Sequence, residues 1–123
     1  MISNKNHKLY KIINSHKAEM IVDQLEKVTS IYKRGKGLLG RERLDDSQAL
    51  WISPCNNIHT FFMKFSIDCI FLDKKMVIQK TKSNIKPYRV AGPFWKSYSV
   101  IEFQAGTIEK YKLSIGDQLY VVS

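Results

Sequence analysis

Ile67-Asp68-Cys69-Ile70-Phe71-Leu72 narrows the folding choices of this chain more than any other segment. Every residue but Asp68 is apolar, and the run is short, β-branched and aromatic, which makes it the strongest strand signal in the sequence. Asp73-Lys74-Lys75 then reads as a turn, with Met76–Lys82 returning as its hairpin partner. Upstream, Ala49–Ser53 is another apolar run, stopped by Pro54.

The remaining segments follow the same pattern. Lys8–Ser15 and Glu19–Val28 alternate weakly and read as an opening pair of strands. Thr29–Lys33 suits one helical turn capped by Thr29 or Ser30, and Gly35, Gly37 and Gly40 break any longer helix. Ile85–Tyr98, with Pro87, Gly92 and Pro93, reads as extended loop. Ser99–Gln104 is a strand, Ala105-Gly106 opens a helical turn through Tyr111, and Gln118–Val122 closes the chain as a strand. Many short strands without long amphipathic helices predict a mostly β fold with a minor α component. The expected form is a compact antiparallel β-sandwich or partly closed β-barrel with one or two short helical turns.

A length of 123 residues suits one domain over residues 1–123. No apolar run approaches the ~20 residues needed to cross a bilayer. The opening residues Met1–Lys11 are polar and basic and lead into no apolar core, so a cytoplasmic location is expected. Cys55 and Cys69 are too few for a disulfide framework and are expected as free thiols. Twenty Lys and Arg against eleven Asp and Glu give +9, and no acid lies between Asp73 and Glu102. That field attracts polyanions, although solubility alone accounts for such an excess.

Four features recur together. They are Arg34-Gly35-x-Gly37-Leu38-Leu39-Gly40-Arg41, Pro54-Cys55-x-x-x-His59-Thr60-Phe61-Phe62-Met63, Ile67-Asp68-x-Ile70-Phe71-Leu72-Asp73, and Glu102-x-x-Ala105-Gly106 with Leu113-x-x-Gly116-Asp117-x-Leu119. In this order and spacing the chain resembles domain of unknown function 192, also called uncharacterised protein family 0127, over residues 18–122. Residues 1–17 then form an N-terminal strand or extension. The resemblance implies a compact β-rich sandwich or barrel and no established activity, and a bacterial source is expected. Lys74-Lys75 stands where members of that family often carry an acidic residue and glycine, and this departure implies that the turn is not of the tight primed type.

Candidate site residues fall into five groups. Gly35-Lys36-Gly37-Leu38-Leu39-Gly40 spells G-x-G-x-x-G, but no amphipathic helix follows and no doubly wound sheet fits, so the match is accidental. Cys55 and His59 are the minimal pair for a thiolate nucleophile, with no orienting third group legible. As metal ligands with Asp68 or Cys69 they lack the paired spacings of structural zinc, so no metal and no cofactor are expected. Arg41, His59, Thr60, Asp68 and Glu102 form a polar cluster that either locks the central loop or lines a cleft, with Trp51, Phe62 and Met63 as further lining. Lys82, Lys86, Arg89 and Lys96, interleaved with Tyr88, Phe94, Trp95 and Tyr98, suit phosphate neutralisation with base stacking, or a loop whose aromatics pack inward.

Three functional readings follow. The first is a non-enzymatic module binding a small ligand or a protein partner in a polar cleft beside Cys55–Met63. The second is polyanion or single-stranded nucleic-acid binding through residues 74–98. The third is a hydrolase or transferase using Cys55 with His59.

Overall fold

The computed structural model describes residues 4–29, 43–61 and 63–123. Among the described residues, nine strands and one short helix follow in chain order: β1 (Asn4–Asn14), β2 (Lys17–Val28), β3 (Gln48–Ile52), β4 (Ile58–His59), β5 (Ile67–Leu72), β6 (Ile78–Ile85), β7 (Val90–Ala91), β8 (Ser99–Gln104), α1 (Thr107–Tyr111) and β9 (Leu119–Val122). Seven strands make one sheet in the order β6-β5-β8-β3-β2-β1-β9, and β4 with β7 makes a separate ribbon. All pairings are antiparallel except β2 with β3, which run parallel from Gln24↔Gln48 to Val28↔Ile52.

β3, β5 and β8 are buried along most of their length because this middle part of the sheet is covered on both faces. Directly paired residues in neighbouring strands project to the same side. One row runs Ile70↔Ile101↔Trp51, and its side carries Leu9, Leu25, Ala49, Leu72, Ile78, Phe103 and Leu119. The opposite row runs Phe71↔Val100↔Ile52↔Val28, with Leu50, Ile67, Cys69, Ile58, Met63 and Ala91 on that side. Both sides of β5 are therefore buried along its whole length. In β2 the positions Asp23, Gln24 and Lys27 remain exposed.

The first face is enclosed by curvature. The sheet bends until its outermost strands meet at a Val77↔Gln118 bridge, supported by Ile78 N–H to Asp117 O at 2.9 Å and Leu119 N–H to Met76 O at 2.9 Å. No further ladder joins β6 to β9 among the described residues, so the sheet is not closed. Helix α1 adds Ile108, and the segment after it adds Leu113. The second face is covered by segments 53–61, 63–66 and 86–98, stitched together by the small two-stranded β4–β7 ribbon, whose Ile58 and Ala91 pack on it.

The hairpin between β5 and β6 is built by Asp73. Its Oδ1 accepts the Lys75 and Val77 amides at 2.8 and 3.0 Å, and Met76 takes a left-handed φ of 65°. This is the wider turn expected in place of a primed one. The helical turn expected at Thr29–Lys33, the glycines at 35, 37 and 40, and the side chain of Arg41 lie outside the described residues, as does Phe62.

Candidate functional site

The cluster Arg41, His59, Thr60, Asp68 and Glu102 separates into different places. Asp68 stands on the face of β5 that carries Ile70 and Leu72, paired to Phe103. It is 1% exposed. Its Oδ1 accepts the Asn84 amide at 2.8 Å, and its Oδ2 accepts the Gly106 and Ile108 amides at 3.1 and 2.9 Å. The carboxylate thus ties the end of β6 to the start of α1, which has no side-chain cap of its own. Three amide donors satisfy it internally.

Glu102 stands on the other face of the sheet, in the row Cys69↔Glu102↔Leu50↔Glu26. Glu102 and Glu26 are both buried there. Glu26 escapes a reading of the sequence because Leu25-Glu26-Lys27 resembles an ordinary solvent-facing charge pair. Its phase with Val28 along an alternating strand is the signal that places it inside.

Thr60 is fully buried and organises the covering loops. Its hydroxyl donates to Lys86 O at 2.6 Å and accepts the Arg89 amide at 2.9 Å, while its backbone N–H donates to Arg89 O at 2.8 Å. Its carbonyl accepts the Tyr88 and Met63 amides. Ile58 and Thr60 point inward, so His59 and Phe61 point outward, and both outward residues are exposed. Met63 is buried in the second core. Trp51 belongs to the opposite face, where Lys27 Nζ lies 4.6 Å from its ring centroid.

The two thiols are free. Cys55 is half-buried, and its Sγ donates to Asn57 O at 2.9 Å. Cys69 is fully buried; burial pushes its thiol far above the ordinary range, and the Glu102 and Asp68 carboxylates add to the effect. That environment suppresses the thiolate and suits Cys69 to packing rather than nucleophilic chemistry. Among the described residues, no three His, Cys, Asp or Glu side chains gather as a metal site.

The basic and aromatic residues, by contrast, converge. Phe94 meets Phe71 edge-on at 4.7 Å and so anchors its loop to the second core. Lys80 and Lys82 leave β6 on the same side, with ammonium groups 5.6 and 5.7 Å from the Phe94 ring centroid. Lys74 lies 5.1 Å from the Tyr98 ring centroid. Trp95, between these two rings in sequence, is 82% exposed. Residues 47–101 contain only two acids, Asp68 and Asp73. Asp68 is buried, and Asp73 accepts hydrogen bonds from the Lys75 and Val77 amides and the Gln79 side chain. Against them stand Lys64, Lys74, Lys75, Lys80, Lys82, Lys86, Arg89 and Lys96.

With this geometry in view, comparison with known proteins places the chain. The model of the DUF192 family, described as "Uncharacterized ACR", matches residues 12–121. The chain belongs to the DUF192 family. A UPF0127 protein of Pyrococcus abyssi is 32% identical over 114 residues, spanning 88% of this chain and 94% of that protein. One from Thermococcus sibiricus is 28% identical over 113 residues, spanning 88% of this chain and 72% of its own length. Both relatives are archaeal, so the expectation of a bacterial source finds no support in them.

Two crystal structures share the fold. A Sinorhizobium meliloti protein, provisionally labelled a transcription regulator, superposes with a TM-score of 0.77 at 17% identity, over 94% of this chain and 93% of that one. A protein of unknown function from Novosphingobium aromaticivorans gives 0.73 at 18% identity, over 92% and 83%. These DUF192-fold likenesses extend to architecture. No helix among the described residues of this family member is long and apolar enough to cross a membrane.

Proposed function

We propose that this DUF192 protein is a non-enzymatic binding module for polyanions, nucleic acid foremost, acting through the face built from residues 74–98. The observation that carries the reading is Trp95, left 82% exposed between two rings that carry lysine ammonium groups, on a surface whose two acids are engaged internally. The Phe94 ring holds the ammonium groups of half-buried Lys80 and Lys82, and the Tyr98 ring holds that of exposed Lys74. Phosphates then meet several cations at once, and an aromatic ring stands beside them. A pocket beside Cys55–Met63 draws less support, because Asp68 and Thr60 hold backbone groups and His59 faces outward.

Fluorescence anisotropy with a labelled oligonucleotide tests the reading. Four phosphate contacts give a log–log salt slope near −3 for a single strand, or roughly a 60-fold loss of affinity between about 50 and about 200 mM salt. Substituting Lys82 and Lys86 by Gln should flatten that slope. Absence of binding at low salt, or salt-independent binding, refutes the proposal.

A further inference from the structure

The β4–β7 ribbon presents a second set of rings within the same covering loops. We infer that His59, Phe61 and Tyr88 form a base-stacking platform, and that the polyanion is a single-stranded nucleic acid bound with its bases unstacked. The inference rests on the polyanion reading above and names its ligand class.

The ribbon has two unlike sides. Ile58, Thr60 and Ala91 face the core. His59 pairs with Val90 on the outer side, where Val90 is 62%, Phe61 40% and Tyr88 59% exposed. The His59 and Phe61 rings lie 5.2 Å apart, and the Phe61 and Tyr88 rings lie 6.2 Å apart and stacked. Tyr88 holds a left-handed φ of 64°, a conformation that a bulky residue rarely adopts. The Thr60 hydrogen bonds on either side of it, to Lys86 O and with Arg89 N–H, fix the backbone there and turn the ring outward. Strain of this kind is retained where surrounding structure enforces it, and it gathers at binding sites.

Cations border the rings. Arg89 donates from Nη1 to the Tyr88 carbonyl at 3.3 Å and to Pro87 O at 3.5 Å, which keeps its guanidinium near Tyr88. Lys64 and Lys86 are exposed on the flanking segments. Trp95 lies seven residue steps after Tyr88, so at most about 25 Å of chain joins the platform to the Trp95 surface. One short strand of nucleic acid can cover both. A duplex keeps its base faces inside the stack and offers these rings nothing, whereas each base of a single strand has a π-face to share.

The closing experiment compares three ligands of equal charge at one salt concentration: a single-stranded oligonucleotide, its abasic counterpart and inorganic polyphosphate. Wild-type protein should bind the base-bearing strand about tenfold more tightly or better. Phe61→Ser and Tyr88→Asn should each remove most of that margin and leave the salt slope unchanged. Asn tolerates the left-handed conformation, so Tyr88→Asn removes the ring without adding strain, and unchanged melting temperatures confirm that both variants fold. Equal affinity for the three ligands, or variants that keep the margin, overturns the stacking platform while the polyanion reading stands. Failure of all three ligands to bind overturns both.

Discussion

Replacing Asp68 by Ala should cost about 3–4 kcal/mol of folding stability, and the figure follows from its three donors. A hydrogen bond to a charged acceptor contributes about 1.5–3 kcal/mol, and a buried N–H left without an acceptor costs about 1–3 kcal/mol. The Ile108 amide is buried and meets that penalty in full. The Asn84 and Gly106 amides belong to exposed residues, where water can replace the carboxylate in part. One full loss and two partial ones give the total. At about 4 °C per kcal/mol for a domain of this size, the melting temperature should fall by about 12–16 °C. Asp68→Asn keeps the volume and one acceptor oxygen but turns an amide NH2 toward the donors, so about half the loss is expected. Differential scanning calorimetry reads both variants, and hydrogen exchange at the Ile108 amide reports the local effect. A fall of less than about 4 °C for Asp68→Ala would refute the reasoning, because the carboxylate would then not hold β6 to α1.

Three further outcomes follow from the second core and the loops that cover it. Cys55 should react with a thiol reagent in the folded protein, whereas Cys69 should react only on unfolding; equal native reactivity would contradict its burial. The sign of the Cys69 shift also sets a pH dependence: its neutral thiol is favoured by the fold, so that contribution is intact below about pH 8.5 and declines as the unfolded thiol ionises above it. Denaturant midpoints of the wild type and Cys69→Ala at rising pH check it, and parallel decline of the two would dismiss it. Gly92→Ala should cost about 2 kcal/mol or more, because φ is +96° and a Cβ would lie 2.6 Å from Asn56 O; a denaturant midpoint equal to that of the wild type would show the loop yielding freely.

How much of this was legible in the sequence depended on burial. Ile67–Leu72 and Ser99–Gln104 declare themselves because both faces of each strand are covered, which leaves an unbroken apolar run. The opening hairpin reads weakly for a physical reason: β1 and β2 shift register several times between Asn4 and Asn14, and each shift disturbs the period of two. The parallel join of β2 to β3 has no local signature, since pairing direction depends on the path between the strands. β4 and β7 are two residues each, too short to show a period. Among the site residues, an acid in phase with Ile70 and Leu72 marked Asp68 as a carboxylate needing partners. Its donors lie 16, 38 and 40 residues downstream, and only the folded sheet brings them together.

The same accounting separates what the fold requires from what it leaves over. The second face of the sheet must be covered, and the inward side chains Ile58, Met63, Ala91 and Phe94 do that. Thr60 is required as well, because a loop crossing a core brings backbone groups that need partners. None of this needs apolar side chains on the outer side of the ribbon, where polar residues would serve folding equally and solubility better. Yet Phe61, Tyr88 and Val90 stand there exposed, in the stretch 47–101 that also carries Trp95 and is free of exposed acids. A lysine-rich coat accounts for the charge alone and leaves the rings unexplained. A ligand that carries both phosphates and flat apolar faces accounts for the two together.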